Sequence, residues 1–352
     1  MEILMFALSI GTLYSIYLIL ATSMELEYGE LGLPNFAKAA FFAVGAFAVG
    51  ASSVRLGAFL AGITWEGEFK LKSYYYTTLV SSSIARNPLI GLIIFTIPML
   101  IALVTAMALG ILASYPALRL PEDYLAISLI AFSELVRIIT RNYEPLVGGT
   151  FGAGVPDFLA WLDSPWRELA KLCISSFIAA CVWVGYRKLS TSPFGRALRA
   201  IRDDEIAAKA FGKDVARLRA WTMAIGSGMA ALAGVLYAFY IGSVNPDDFT
   251  VSKTFLVVLM VVLGGRGNPL GPPIGAAVYM LVDRIITFTK HLIPMPFDVN
   301  YVSYIILGIV LIVIIMRRPG GLVPEKPPIT VKTPPLKSLR ETTLSTKSLQ
   351  SE

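Results

Sequence analysis

The sequence predicts an all-α, polytopic integral membrane protein of about nine transmembrane helices, with a range of roughly eight to ten, some short or broken by glycine and proline. Three observations carry that prediction. Of 352 residues, 55% are hydrophobic and 15% charged, with a mean hydropathy of +0.68, whereas soluble domains average about 25% charged and 45–50% apolar residues. Apolar stretches recur along the chain, several near the roughly 20 residues that cross a bilayer. The basic excess is concentrated in one loop and the tail. A soluble enzyme, a disordered chain and a disulfide scaffold are thereby excluded.

The apolar stretches run over 3–22, 31–54, 88–113, 124–139, 172–186, 221–241, 255–263, 274–288 and 301–316. The first starts after Met1-Glu2, without the basic region of a cleaved signal, and is too long for a signal's apolar core. It is expected to stay as a transmembrane helix. The second opens on the helix breakers Gly32, Pro34 and Asn35, just after Gly29. Within the fifth, Cys173 and Cys181 stand about 12 Å apart along a helix, too far for a disulfide; they read as small hydrophobes in lipid or helix contacts. Stretch 255–263 spans only if it begins near Thr250 and absorbs Lys253. His291 is the sole histidine, which leaves little for a histidine metal site or proton relay.

Charge orients the spans. From Arg187 to Arg219 lie nine basic residues against four acids, and from Arg317 onward seven against three. The positive-inside rule puts both segments in the cytoplasm, with four spans between them and five before the loop, so the N-terminus is expected outside. The basic pI therefore carries no nucleic-acid message, because positive charge beside anionic lipid head groups needs no other partner. Residues 1–320 form the membrane domain. The tail, 321–352, is rich in Pro, Lys, Ser and Thr, lacks aromatic residues, and is expected to be disordered and cytoplasmic.

Loop 187–219 has helical patterning of its own. In Phe194-Gly195-Arg196-Ala197-Leu198-Arg199-Ala200-Ile201-Arg202, arginine recurs every third residue, an amphipathic arrangement. Asp203, Asp204 and Glu205 then open a second run, Ile206-Ala207-Ala208-Lys209-Ala210-Phe211, complementing the helix dipole, and Gly212 is placed to cap its end. Two readings stand. The pair enters a groove on another protein, or it merely caps the bundle.

Catalytic signatures are missing. No Walker A, HExxH, CxxC or GxSxG pattern occurs. The run Gly264-Gly265-Arg266-Gly267-Asn268-Pro269-Leu270-Gly271 has the wrong spacing for a dinucleotide loop and no surrounding βαβ unit. What remains are ionisable groups at membrane depth: Lys38, Glu134, Arg137, Asp283 and Arg284, each costing about 2.5–3.5 kcal/mol at a helix centre if left alone. Glu134 and Arg137 can neutralise each other at i,i+3; Asp283 and Arg284 are adjacent. Lys38 has no obvious local partner. It follows broken helix, where transporters place polar paths, or it snorkels at the cytoplasmic face. Asn35, Lys38 and Glu134 are the candidate path residues.

Several segments together resemble the permeases of branched-chain amino acid ABC transporters. They are Tyr28-Gly29-Glu30-Leu31-Gly32-Leu33-Pro34-Asn35-Phe36-Ala37 with Ala40-Phe41-Phe42-Ala43-Val44-Gly45-Ala46-Phe47; Asp123-Tyr124-Leu125-Ala126-Ile127 with Glu134-Leu135-Val136-Arg137; and Gly148-Gly149-Thr150-Phe151-Gly152-Ala153-Gly154-Val155-Pro156. The strongest match runs from Ser192 to Gly212, with an Ala-Ala-x-x-x-Gly core; Gly242, Pro246, Phe249 and Val262-Leu263-Gly264-Gly265-Arg266-Gly267 complete it. The likeness covers about residues 10–320 and is closer to the M-type than to the H-type subunit. It implies that the chain is a transport subunit, not an enzyme, in the cell membrane. It implies partners as well: a second homologous permease, two cytoplasmic ATPases that use ATP and Mg, and an extracellular binding protein. No cofactor is implied on this chain itself. Carried over, the coupling residues are Gly195, Arg196, Arg199, Arg202, Glu205, Ala207, Ala208 and Gly212. The chain departs from the family at Lys38-Ala39, where relatives commonly carry His-Gly, so the substrate class widens from branched-chain amino acids to urea, short amides or another small polar solute.

Two other classes compete. A gradient-driven transporter or channel wants intramembrane carboxylates or inverted repeats; the glycine-rich stretches 29–45 and 264–275 hint weakly at a repeat, and the sequence displays no unpaired mid-span acid. An intramembrane enzyme wants catalytic residues that are absent.

Overall fold

The computed structural model describes residues 2–65, 67–117, 120–290, 305, 308–309, 312–313, 316–318 and 320–325. Most of the apolar stretch 301–316, His291 and the tail beyond residue 325 lie outside the described residues. The fold is helical, as expected. In chain order it comprises α1 (Glu2–Met24), a π-helical turn (Glu25–Glu30), α2 (Lys38–Leu60), α3 (Phe69–Arg86), α4 (Pro88–Ala117), α5 (Glu122–Asn142), the single turn α6 (Glu144–Val147), α7 (Trp166–Thr191), α8 (Pro193–Asp203), α9 (Glu205–Ala210), α10 (Val215–Ile241), α11 (Val251–Gly264) and α12 (Gly271–Lys290).

Eight of the nine apolar stretches coincide with helices. Among the described residues, five segments are long and apolar enough to cross a membrane: Leu4–Glu30, Lys38–Leu60, Pro88–Pro116, Trp166–Thr191 and Val215–Ile241. The expected count of nine is therefore not reached on length and composition. Glu134 and Arg137 dilute α5, Asp283 and Arg284 dilute α12, and α11 is only 14 residues long, about 21 Å. As the sequence required, α11 starts right after Thr250 and takes in Lys253. Two differences from expectation stand out. Gly32, Pro34 and Asn35 keep the chain irregular until Lys38, so the second helix starts seven residues late. The other difference is α3, which has no apolar run; it buries Ser73, Tyr76, Val80 and Ile84 along one stripe.

At the centre, α2, α4 and α10 pack on one another, while α1 lies against α7, α10, α11 and α12. Association in lipid depends on close backbone packing rather than on apolar burial, and the α2–α10 crossing is built accordingly. A Cβ on Gly45 would lie 2.0 Å from the Ala231 carbonyl oxygen, and one on Gly234 2.0 Å from that of Phe42. No larger residue fits at either position. Beyond the crossing, the rings of Phe42, Phe47, Tyr237 and Phe249 cluster with centroid separations of 5.2–6.1 Å. A two-residue antiparallel ladder, β1 (Ala153–Gly154) with β2 (Ser243–Val244), ties the glycine-rich segment before α7 to the end of α10. The outward side of α4 presents Leu89, Leu92, Leu100, Val104 and Leu112, the surface expected of a helix facing lipid. On α7, Cys173 and Cys181 are exposed free thiols.

Candidate functional site

Helix α1 does not stop cleanly. It loosens into the π turn Glu-Leu-Glu-Tyr-Gly-Glu, a form of helix that is rare and concentrated at functional sites. Glu25, Glu27 and Glu30 are all wholly buried there, and each is held by a different element. Glu27 accepts from Lys38 Nζ at 2.5 Å and from Asn35 Nδ2 at 3.2 Å. Glu25 accepts from the Gly267 amide, in the α11–α12 turn, at 2.6 Å; its second oxygen is buried with no hydrogen-bond partner among the described residues. Glu30 accepts from Tyr186 Oη at 3.1 Å, from the Ser190 hydroxyl and from Arg199 at 2.6 Å. Room for this cluster comes partly from Gly226 on α10, where a Cβ would lie 2.1 Å from Glu27 Oε1.

Lys38 departs from one of its two expected roles, snorkelling. Its side chain is wholly buried against Glu27, with 0% exposure for both partners, so it does not snorkel, and its partner was eleven residues upstream. Asn35 belongs to the same network and also caps the turn into α2 by accepting from the Ala37 amide at 3.0 Å. Glu134 lies elsewhere. It pairs with Arg137 on α5, and Arg137 reaches Asp247 at 2.5 Å. Asp283 and Arg284 sit 3.9 Å apart. The three buried carboxylates of the π turn were missed from sequence, although three acids within six residues at the end of an apolar run were a visible signal.

The coupling-loop candidates form a compact pair of helices. Ser192 caps α8 by accepting from the Phe194 and Gly195 amides at 3.2 and 3.5 Å. Gly195 must be glycine, since a Cβ would meet the Ser190 carbonyl oxygen at 2.1 Å. Asp204 caps α9 through the Ile206 and Ala207 amides at 2.9 and 3.0 Å. Ala208 is buried together with Leu198, Ile201 and Val215. Gly212 ends the pair at φ +75°, left-handed backbone that favours glycine.

The three regularly spaced arginines have separate fates. Arg196 points outward, bonded to the Thr191 carbonyl at 3.3 Å. Arg199 reaches in to Glu30. Arg202 donates to the Gly29 carbonyl at 2.6 Å and to Glu325 at 2.9 Å. Glu205 is held by Lys209 at 2.7 Å and Arg219 at 2.6 Å; the Lys209 hydrogen bond, helped by Arg219, draws its carboxyl below the ordinary value of 4.5. Two large apolar side chains are left standing in the open, Ile206 at 81% and Phe211 at 84% exposure.

Residues 320–325 complete this end of the molecule. Leu322 and Val323 donate to the Leu263 and Gly264 carbonyls at 3.0 Å each, and Asn268 Nδ2 donates to the Pro324 carbonyl at 3.0 Å. The loop helices, the α11–α12 turn and the π turn therefore meet in one place.

This assembly of kinked, glycine-packed membrane helices and a capped loop pair has a counterpart among known proteins. The family model described as the branched-chain amino acid transport system permease component matches residues 6–315. The chain belongs to that permease family. The probable branched-chain amino acid transport permease protein LivM of Methanocaldococcus jannaschii is 38% identical over 92% of this permease and 94% of the relative. The high-affinity branched-chain amino acid transport system permease protein LivM of Escherichia coli is 28% identical, over 91% and 70% of the two chains. The LivH permease of the same organism is 26% identical over 78% and 82%. The leaning toward the M-type subunit read from the sequence agrees with that order. No solved structure matches the chain. The permease is a membrane transport subunit rather than an enzyme.

Proposed function

We propose that this permease is one of two homologous membrane subunits of an ATP-binding-cassette importer for branched-chain or similar amino acids. Two cytoplasmic ATPases, using ATP and Mg, drive it, and an extracellular binding protein delivers the solute. The observation that carries the reading is the exposed pair Ile206 and Phe211 on a loop whose other side is firmly anchored. An isolated loop gains nothing by displaying two large apolar side chains, whereas a helix presenting them beside Lys209 and Gly212 fits a groove on a partner. In this arrangement Gly195, Ala207 and Ala208 shape the loop, Glu205 and Gly212 set the start and end of its docking helix, and Arg196 faces outward beside it. The loop and the tail lie in the cytoplasm and the N-terminus outside, following the basic excess of residues 187–219 and the tail.

For the path, Asn35 and Lys38 act by holding the broken segment before α2, because their polar groups are turned to Glu27 and to the Ala37 amide. Glu134, at 38% side-chain exposure, is the path residue on α5, paired with Arg137 and through it with Asp247. The test is a tagged pull-down from native membranes in mild detergent, with bound proteins identified by mass spectrometry. Recovery of a second permease and P-loop ATPases is the expected result. A folded, monodisperse chain that comes down alone would refute it and favour a gradient-driven transporter.

A further inference from the structure

We infer that Glu30 and Arg199 are the positioning pair that couples the loop to the membrane helices, with the π turn Glu25–Glu30 as the joint. The inference rests on the importer reading and adds to it where the force goes. Helix α8 meets the membrane part of the molecule at the π turn and α7. Two of its side chains end on the turn itself, Arg199 on Glu30 and Arg202 on the Gly29 carbonyl.

From that turn, two further carboxylates lead elsewhere. Glu27 holds Lys38 and Asn35 at the start of α2, and Glu25 holds the Gly267 amide between α11 and α12. Within six residues, three buried acids therefore connect the loop, the central helix α2 and the short α11–α12 hairpin. A displacement of α8 cannot leave the π turn in place without pulling the half-buried Arg199 off the buried Glu30, and the turn cannot move without carrying α2 or the hairpin. The π geometry suits a joint, since such turns interrupt the regular ladder of an α-helix. Burial sharpens it: Glu30 has no access to water, so separation from Arg199 leaves a charge whose other partners among the described residues, Tyr186 and Ser190, are neutral hydroxyls.

An ion pair that only braced the fold would change stability, while a coupling pair changes uptake per ATP hydrolysed. The test uses the complete transporter in proteoliposomes with its binding protein, measuring amino acid uptake and ATP hydrolysis separately. Variants are Arg199→Gln, Arg199→Lys and Glu30→Gln, with Lys188→Gln, at an exposed lysine outside the coupling set, as a control for loss of one loop charge. Expected for Arg199→Gln and Glu30→Gln are retained ATPases and continuing hydrolysis, with uptake per ATP lower by about 2- to 30-fold, the range seen when residues along a coupling route are altered. Arg199→Lys keeps the charge and recovers most of the coupling; Lys188→Gln matches the unmutated chain.

Should Glu30→Gln fail to accumulate, Arg199→Gln decides, because it leaves the Tyr186 and Ser190 hydroxyls on Glu30. Unchanged uptake per ATP in Arg199→Gln, or an equal fall in Lys188→Gln, would overturn the inference. So would loss of the ATPases from Arg199→Gln, which would make that arginine part of the docking face. If the unmutated chain retains no ATPase, the importer reading falls and this one with it.

Discussion

Replacing Lys38 by methionine removes the charge while keeping most of the side chain's volume. The structure sets the size of the effect. Lys38 and Glu27 are both at 0% exposure with Nζ and Oε2 2.5 Å apart, and Asn35 supplies Glu27 with only one neutral hydrogen bond. Removing one partner of such a pair costs about 3–5 kcal/mol, mainly because the other charge is left buried and alone. That is a large part of the roughly 5–15 kcal/mol that holds a typical domain folded. Glu27→Gln is expected to cost a similar amount, and the double variant Glu27→Gln/Lys38→Met less than either single one, since no charge then remains to be compensated. Thermal and denaturant unfolding of the purified permease in detergent, read as a double-mutant cycle, gives the coupling directly; a value of about 2 kcal/mol or more is expected. Simple additivity, or a Lys38→Met permease as stable as the unmutated one, would refute the reasoning and return Lys38 to the polar path.

Three other outcomes follow from the geometry. Gly234→Leu forces a side chain into the Phe42 carbonyl, so α2 and α10 must separate; a loss of about 1–3 kcal/mol is expected in the same unfolding assay, with membrane insertion retained. Phe211→Ala removes an exposed ring that touches little of its own chain. It is expected to leave the melting temperature unchanged and to weaken recovery of the ATPases by pull-down. Glu205 has a depressed carboxyl, so its stabilisation of the loop is fully present above its unfolded value of 4.5 and is lost as pH falls through the lower folded value. Hydrogen exchange of residues 205–219, corrected for the intrinsic rate, is therefore expected to stay protected down to about pH 4.5 and to open below it; Glu205→Gln should open it at neutral pH.

Much of the architecture was legible because lipid rewards one feature above others, the uninterrupted apolar run. Stretches such as 88–113 and 221–241 coincide with α4 and α10 for that reason. Helix α3 was not legible in this way: Lys70, Lys72, Arg86 and three consecutive tyrosines dilute it, and its signal is only the stripe through Ser73, Tyr76, Val80 and Ile84. At the site, the second loop helix could be read from the acids Asp203, Asp204 and Glu205 at its start and Gly212 at its end, since helix ends are local chemistry; the Ser192 cap on α8 was legible by the same rule and was not read. The charge hub could not. Its partners lie 242, 11 and 169 residues from their glutamates along the chain, and in sequence an acid at the end of an apolar run looks no different from one bathed in water. For the same reason Arg199 and Arg202 read as orienting charges, while the folded chain uses them to fasten the loop.

The shortness of α11 has a consequence for the chain that follows it. Its 14 residues rise about 21 Å, against a hydrocarbon thickness of about 30 Å. Both ends of such a helix cannot reach the head groups, and irregular backbone at that depth persists only beside protein or water. The end of α11 is covered by chain accordingly: its Leu263 and Gly264 carbonyls accept from the Leu322 and Val323 amides, so residues 320–325 cap backbone that lipid would leave unsatisfied.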